Sequence, residues 1–351
     1  MVPERIARHF HKQAASCERL GSSFTANLCR MLPDLLDERT RTGQRIAGWP
    51  GEPGPDALAL RLCGALHFLV LSGRDADLVR AYPPSPADPT TLAAIVGQTL
   101  GRHDELIANF LDSPPQTNEV GRSAMLLPGF LAIARSTRRP LALCEIGASA
   151  GLNLVFDRFS YRYGDAEWGD ADSTVRLRPD IDGTAPPLDG ALEIVGRAGC
   201  DIAPVNLNDD AARMRLLSYV WPDQHDRLER ARGAIALART AGIELAQCDA
   251  AAFLRGALAA RPPEAAFVLF HSIMWQYMPQ ATQAAITTAM AEAGEGAVPE
   301  APVAWLRMEP GLISEPFATL SLTLWPGGET HSLARCDYHG RWIDWIGAME
   351  S

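Results

Sequence analysis

The hydrophobic pattern of this chain changes character near residue 140. Before that point apolar residues recur at helical spacing, and segments rich in proline and glycine separate the predicted helices. These helices are predicted at residues 3–15, 22–37, 57–72, 90–112 and 121–137. Since no convincing alternation of apolar and polar residues accompanies them, the first part of the chain is predicted to be all-α.

After residue 140, short apolar segments alternate with helical ones. Strands are predicted at residues 141–146, 192–198, 243–247, 266–270 and 303–308. Helices are predicted at residues 152–159, 209–239, 250–259 and 280–293. Strands and helices that alternate in this way predict an α/β domain with a parallel sheet covered on both faces.

The end of the chain has a different pattern. Residues 317–325 and 330–336 flank a Pro-Gly-Gly turn and predict an antiparallel hairpin, and residues 341–345 predict a further strand. Residues 161–190 are rich in Asp, Gly and Pro and are predicted to be an insertion. We therefore expect a helical domain over residues 1–125 and an α/β domain over residues 126–351.

Composition and charge narrow the classes of partner. The 351 residues carry a formal net charge of −10, which disfavours binding to a phosphate backbone, so no nucleic-acid partner is expected. The apolar run Ala57–Leu71 is shorter than a membrane span and contains Arg61 and His67, so no membrane association is expected either. The seven cysteines form no C-x-x-C pair, which argues against a disulfide framework or a metal site. Together with an N-terminus that lacks an apolar signal segment, they predict a cytoplasmic protein.

The most informative segment follows the first strand, where Gly147, Ala148, Ser149, Ala150 and Gly151 form a loop of small residues. A dinucleotide fingerprint would need glycine at two further positions, and the Lys-Ser/Thr of a P-loop is absent. The string does match G-x-S-x-G, the nucleophile elbow of serine hydrolases, with Ser149 as the nucleophile.

The same loop resembles the first motif of class I S-adenosylmethionine-dependent methyltransferases, an acidic residue followed by Gly-x-Gly-x-Gly. Glu145, Gly147 and Gly151 match that motif, and Ser149 replaces its middle glycine. The position favours the methyltransferase over the hydrolase, because the loop follows what is predicted to be the first strand of the sheet. The resemblance implies a Rossmann-like methyltransferase fold, with a mostly parallel seven-stranded sheet and an antiparallel C-terminal hairpin.

Two later strand ends continue the resemblance. Asp201 follows the second predicted strand, where the family places the acid that binds both ribose hydroxyls. Asp249 follows the third predicted strand and is succeeded by the small residue Ala250, where the family binds the adenine. Each aspartate is also well placed to cap the helix that follows it, which is a structural alternative to a cofactor role.

Catalytic candidates follow the fourth and fifth predicted strands. His271 and Tyr277 come after the fourth strand and Glu309 after the fifth, and in an open α/β sheet the carboxyl ends of strands line the ligand crevice. His271 could act as a general base, or be hydrogen-bonded in a purely structural role. The Asp/Asn-Pro-Pro-Tyr/Phe signature of methyltransferases that modify nucleic-acid bases is missing, so a small-molecule acceptor is expected.

The full set of predicted site residues divides by role. The cofactor-binding candidates are Glu145, Gly147, Ala148, Ser149, Gly151, Asp201, Asp249, Ala250 and His271. The candidates for the acceptor pocket are Asn118, Glu119, Arg122, Asn153, Ser272 and Gln276. Helix capping is the structural alternative for the first three of these pocket residues.

A closer resemblance covers nearly the whole chain. Residues 145–154, 115–122 and 221–224 together resemble a bacterial family of unknown function, whose fold is similar to that of methyltransferases. The expected function is methyl transfer from S-adenosylmethionine to a small molecule. The alternatives are a serine hydrolase that uses Ser149 and a non-catalytic protein that binds S-adenosylmethionine or a nucleoside.

Overall fold

The computed structural model describes residues 2–311 and 315–347. The chain forms two compact units, a helical unit (Met1–Thr117 and Asn208–Glu229) and a sheet unit (Asn118–Leu207 and Arg230–Ser351). The helical unit therefore includes a second segment, which the sequence pattern assigned to the α/β domain.

The α-helices range from 6 to 16 residues in length. In chain order they are α1 (Glu4–Arg19), α2 (Ser23–Leu35), α3 (Arg41–Ala47), α4 (Leu58–Leu71), α5 (Ala76–Ala81), α6 (Pro89–Arg102), α7 (Asp104–Phe110), α8 (Ser123–Thr137), α9 (Asp210–Ser218), α10 (His225–Thr240), α11 (Ala250–Ala259) and α12 (Gln280–Glu295). Helices α1–α7 and α9 belong to the helical unit, and one of the breaks between the units falls within α10.

The core of the helical unit follows from the apolar spacing of its helices. On α1, Ile6, Phe10, Ala14 and Cys17 recur every three or four residues and are all buried. The predicted helix 90–112 is wrong as a single element, because α6 ends at Arg102 and α7 begins at Asp104. The predicted helical region 209–239 is two helices, with a break around Pro222, where the sequence predicts a kink or junction because proline cannot continue a helix.

The strands form two sheets. In chain order they are β1 (Leu141–Ile146), β2 (Ser160–Tyr163), β3 (Ala166–Gly169), β4 (Arg176–Leu177), β5 (Asp180–Ile181), β6 (Ile194–Asp201), β7 (Leu245–Gln247), β8 (Ala266–Ser272), β9 (Val303–Pro310), β10 (Ala318–Trp325), β11 (Glu329–Cys336) and β12 (Trp342–Trp345). The main sheet has the order β5-β12-β11-β10-β9-β8-β1-β6-β7, and β3-β2-β4 form a small second sheet.

The main sheet is mostly parallel and ends in the predicted antiparallel hairpin. Strands β7, β6, β1, β8 and β9 are parallel neighbours, whereas β10 and β11 are antiparallel to their neighbours. The predicted count of seven strands is wrong, since the described residues form a nine-stranded main sheet. The two strands beyond seven are β12, which corresponds to the further strand predicted at residues 341–345, and β5, which belongs to the 161–190 insertion and pairs with β12.

Both faces of the parallel strands are buried, which explains their nearly continuous apolar sequences. On one face, residues of α11 and α12 pack against Cys144, Leu269 and Trp305. On the other face, Phe130 of α8 stacks on Phe156, with ring centroids 4.2 Å apart, and meets Phe270 of β8 edge-on. Because other residues cover both faces, we look for a ligand site at the carboxyl ends of these strands.

Candidate functional site

The order of the parallel strands identifies one crevice. Taken in chain order, the first parallel strand is β1, and the chain continues to β6 and β7 on one side of it and then to β8 and β9 on the other. Open α/β sheets bind ligands at such a reversal, outside the carboxyl ends of the strands. At this point the loop after β1 meets the loop after β8, since a Cβ at Gly147 would lie 2.6 Å from Cε of Met274.

The loop after β1 has an unusual backbone. Gly147 and Gly151 have φ values of +64° and +71°, and Ser149 has a φ of +54°, a region that non-glycine residues rarely adopt. A Cβ at Gly151 would also crowd Ile243, at 3.0 Å. Both glycines are therefore required by the fold itself, and their presence alone does not identify a ligand.

The five amide groups from Ala148 to Leu152 are engaged within the protein. Ala148 N–H donates to the carbonyl of Cys200, Ser149 N–H donates to Oδ2 of Asp201, and Gly151 N–H donates to the carbonyl of Ala148. Oδ1 of Asn118 accepts from the N–H groups of Ala150 and Leu152, at 3.3 and 2.8 Å. An anion at a helix N-terminus binds to unengaged amides, so this loop is not arranged to hold a phosphate.

Asp201 connects the end of β6 to the loop. Its Oδ2 accepts from Ser149 N–H at 2.9 Å, and its Oδ1 accepts from Ala203 N–H at 2.9 Å. Because each carboxylate oxygen has two lone pairs, the side chain keeps the capacity to accept further hydrogen bonds. The structure thus gives Asp201 a role in shaping the loop that is compatible with ligand binding.

Glu145 is a buried acid at the carboxyl end of β1. It is 3% exposed, and its Oε2 is buried and has no hydrogen-bond partner. Burial raises the pKa of Glu145 well above its ordinary value, and the negative charge of Asp201 acts in the same direction. The positive charge of Arg122 and a hydrogen bond with Asn153 oppose this change in pKa.

The segment before α8 contributes three of the predicted pocket residues. Asn118 holds the loop amides, and Glu119 accepts from Gly121 N–H at 3.0 Å, so it caps the short 3-10 helix Val120–Arg122. Arg122 donates to the carbonyls of Ser272 and Tyr338, at 3.1 and 3.0 Å. Arg122 therefore joins this segment to the end of β8.

His271 and Glu309 form a buried pair at the ends of β8 and β9. Nδ1 of His271 lies 2.7 Å from Oε1 of Glu309, which also accepts from Met274 N–H at 3.2 Å. In the tautomer that donates Nδ1–H to Glu309, Nε2 of His271 has the free lone pair. Nε2 of His271 and Oε2 of Glu309 are both buried and have no hydrogen-bond partner.

Two tryptophans cover this pair, and neither is among the predicted site residues. Trp275 stacks on His271 with ring centroids 5.1 Å apart, and Trp305 lies 6.1 Å from the same ring. His271 is fully buried. A signal for Trp305 was present in the sequence, since Trp305, Arg307 and Glu309 alternate along an otherwise apolar strand and share one face.

Glu145 and His271 leave opposite faces of the sheet. Glu145 is in register with Phe270, which faces α8. His271 follows Phe270 directly, and side chains alternate along a strand, so His271 faces the other layer. The predicted residues therefore form two clusters, one around the loop after β1 and one around His271.

Other predicted residues lie apart from these clusters. Asp249 is exposed and caps α11, accepting from the N–H groups of Ala251 and Ala252 at 2.9 and 3.1 Å. Asp249 is thus a helix cap, as the structural alternative predicted. An aspartate that caps a helix can also bind a ligand. Gln276 is exposed, and Tyr277 is 77% exposed.

Ser149 does not have the surroundings of a nucleophile. Its Oγ is buried and has no hydrogen-bond partner, so no base lies within hydrogen-bond distance of it. In a nucleophile elbow the next residue supplies an oxyanion-hole amide, and here that amide, Ala150 N–H, donates to Asn118. The match to G-x-S-x-G is therefore not accompanied by the geometry of a triad.

The comparisons with known proteins settle the family. The family model described as "Uncharacterized protein conserved in bacteria (DUF2332)" matches residues 7–345. The chain belongs to this bacterial family. No curated protein and no solved structure matches the chain. The resemblance seen in the sequence is thus confirmed at the level of the family, which has no assigned reaction.

Two negative findings hold for residues 2–311 and 315–347. No helix in this part of the chain is long and apolar enough to cross a membrane. Within the same residues, no group of three or more His, Cys, Asp or Glu side chains is arranged to hold a metal ion.

Proposed function

We propose that the sheet unit binds S-adenosylmethionine at the carboxyl ends of β1, β6 and β7 and transfers its methyl group to a small-molecule acceptor. The main support is the loop after β1, whose five amides from Ala148 to Leu152 are engaged within the protein. Glu145 and Asp201 bring carboxyl groups to the same strand ends. Such a site favours a ligand with hydroxyl groups and a positive charge over a ligand with phosphates.

S-adenosylmethionine has these properties, since it combines two ribose hydroxyls with a positively charged sulfonium and has no phosphate. Asp201 would accept hydrogen bonds from the ribose hydroxyls through its remaining lone pairs. Asp249, at the end of the next strand, would accept from the adenine amino group, as the resemblance to methyltransferases implies. Arg122 and Asn118 would hold the loops that enclose the ligand.

His271 is the candidate base. Bound S-adenosylmethionine supplies an activated methyl group, and the protein's task is to align the acceptor and remove one proton from it. A hydrogen bond from Nδ1–H of His271 to Glu309 would leave Nε2 free to accept the proton of the acceptor. Trp275 covers the imidazole, and its displacement would give an acceptor access to Nε2.

The two alternatives differ in their support. A serine hydrolase is less well supported, because Ser149 Oγ is buried without a partner and the oxyanion-hole amide is already engaged. A non-catalytic protein that binds S-adenosylmethionine shares the same loop and the same carboxylates. It differs from the enzyme only in lacking turnover, which a methyl-transfer assay detects.

Calorimetric titration tests the binding step. We expect S-adenosylmethionine and S-adenosylhomocysteine to bind and NAD not to bind. Asp201→Ala should weaken binding about a hundredfold, or about 2.7 kcal/mol, because it removes the ribose acceptor and releases the loop. Asp88→Ala is the matched control, since Asp88 caps α6 in the helical unit and should leave binding unchanged. No heat at about millimolar S-adenosylmethionine would overturn the proposal.

A labelled methyl donor tests the transfer step. Protein incubated with methyl-labelled S-adenosylmethionine and fractionated small-molecule extracts should produce a labelled product. His271→Asn should retain binding and lose at least about a hundredfold in rate, because it removes the base. Binding without any labelled product in any fraction would favour the non-catalytic alternative.

A further inference from the structure

Glu145 differs from the other carboxylates of the candidate site in its hydrogen bonding. Asp201 accepts from backbone amides on both of its oxygens, and Glu309, whose Oε2 is also buried without a partner, accepts on Oε1 from Met274 N–H and lies beside Nδ1 of His271. Glu145 is 3% exposed and has a buried Oε2 without a partner. An ionised carboxylate with a buried and unpaired oxygen is disfavoured, because that oxygen has lost its hydrogen bonds with water, and the hydrogen bond with Asn153 and the charge of Arg122 offset only part of this loss.

The charged groups around Glu145 do not remove this penalty. Arg122 faces it from the short helix before α8, and Asp201 faces it from the end of β6 with the opposite effect. Arg122 also donates to the carbonyls of Ser272 and Tyr338, so its charge is shared with those groups. Cys144, the neighbour in β1, is a neutral thiol because burial raises its pKa.

We infer that Glu145 is a neutral carboxylic acid in the ligand-free site and releases its proton when a positively charged group of the ligand binds beside it. The inference rests on the proposed function and adds to it a role for Glu145 in selecting a cationic ligand. The step is balanced: the O–H bond of Glu145 breaks, the proton goes to solvent, and the carboxylate stays paired with the ligand cation. Burial, which raises the pKa of the free acid, supports this order of events.

The coupling between cation binding and proton release fixes the direction in which the affinity changes with pH. Because binding releases a proton, the affinity for the cation should rise with pH as long as the free protein has Glu145 protonated. The rise is at most tenfold per pH unit for one proton, and it ends at the pKa of the free acid. His271 and Glu309 face the other side of the sheet and are not part of this linkage.

Calorimetry in two buffers of different ionisation enthalpy measures the released proton directly. Above the ordinary glutamate pKa of 4.5 and below the raised pKa of Glu145, we expect a proton to be released when S-adenosylmethionine binds. Glu145→Gln should still bind, more weakly, and release no proton. Asp157→Asn is the matched control, because Asp157 pairs with Arg197 in the same unit and should leave the proton release unchanged.

A second measurement does not need the ligand. The stabilising contribution of neutral Glu145 is complete below its ordinary pKa of 4.5 and is lost as pH rises through the raised pKa. The melting temperature of the wild type should therefore fall relative to that of Glu145→Gln as pH increases. The same measurement on Asp157→Asn should not show this divergence.

The outcomes separate the inference from the proposed function. Binding of S-adenosylmethionine without proton release, or with equal release by Glu145→Gln, overturns the inference and leaves the proposed function standing. A difference in melting temperature that does not depend on pH also overturns the inference, whether or not a ligand binds. Absence of S-adenosylmethionine binding overturns the proposed function, and the stability measurement then still decides whether Glu145 is neutral in the free protein.

Discussion

Asp75 in the helical unit and Glu145 in the sheet unit are both buried acids, and their surroundings are opposite. The side chain of Asp75 is fully buried, and its Oδ1 accepts from the N–H groups of Asp77 and Leu78 at 3.2 and 3.1 Å. Its Oδ2 accepts from Thr99 and Arg102, at 3.0 and 2.9 Å. Every oxygen of this carboxylate is thus used by the fold.

The pKa of Asp75 is lowered and that of Glu145 is raised. In both cases the hydrogen-bond donors and charges around the buried carboxyl group decide the direction. Burial alone would raise the pKa of Asp75, but hydrogen bonds from Leu78 and Thr99 and the charge of Arg102 bring it below its ordinary value. For Glu145 the corresponding partners are too few, and burial raises its pKa. A buried acid that the fold fully satisfies is structural, whereas one left unsatisfied at a strand end is a candidate for ligand binding.

The largest effect should come from removing the structural acid. Asp75→Ala deletes the cap of α5 and leaves Arg102 and Thr99 without their acceptor, so we expect a loss of about 3 kcal/mol in the free energy of unfolding. Glu145→Gln, by contrast, should be nearly neutral at low pH, since it replaces a neutral acid with a neutral amide. Denaturant titration measures the free energy of unfolding of both variants. Equal losses in the two variants would contradict the difference proposed between Asp75 and Glu145.

Asp75 and Glu145 should change the stability of the protein in opposite directions as the pH changes. Asp75 has a lowered pKa, so its contribution to stability is present above its ordinary pKa of 3.8 and is lost as pH falls through the lowered value. Replacing it with Asn should therefore flatten the acid limb of the stability curve, with about 1.4 kcal/mol at stake per unit of pKa change. Thermal melts across the acid range check this, and an unchanged acid limb in Asp75→Asn would contradict it.

The smallest effect concerns backbone strain in the two units. Ile273, directly after β8, has a φ of +51°, and Ala57, before α4, also has a φ of +51°. Glycine relieves this strain, so each substitution should gain up to about 1 kcal/mol, with the larger gain at the β-branched Ile273. Ala57→Gly should leave ligand binding unchanged. A larger gain at Ala57 than at Ile273 would contradict the assignment of strain to the strand end.

Much of the fold could be predicted from the sequence, because local periodicity reports which residues face a core. Strand β1 and helix α11 have the predicted bounds, Leu141–Ile146 and Ala250–Ala259. The division of residues 90–112 into two helices could not be predicted, since the residues at the break are compatible with a helix. The pairing of β5 with β12 could not be predicted either, because a strand of two residues is too short to show a hydrophobic pattern.

The candidate site was predictable only as a set of strand ends. The sequence indicated that Glu145, Asp201, His271 and Glu309 follow or end strands, and parallel strands bring such ends to one edge of the sheet. It did not indicate that Asn118 takes two loop amides, or that Trp275 stacks on His271. These contacts join residues far apart in the chain, and no local pattern encodes them.

The sequence by itself determined the family, the alternation of strands and helices, and the identity of the acids at the strand ends. Only the tertiary structure decided which oxygens of those acids have hydrogen-bond partners, because the partners come from distant segments: Ser149 for Oδ2 of Asp201, and Met274 and His271 for Oε1 of Glu309. It also decided that Glu145 has a buried oxygen without a partner. The chemistry of a carboxyl group is written in its residue type, but its charge in the folded protein is set by what the fold places around it.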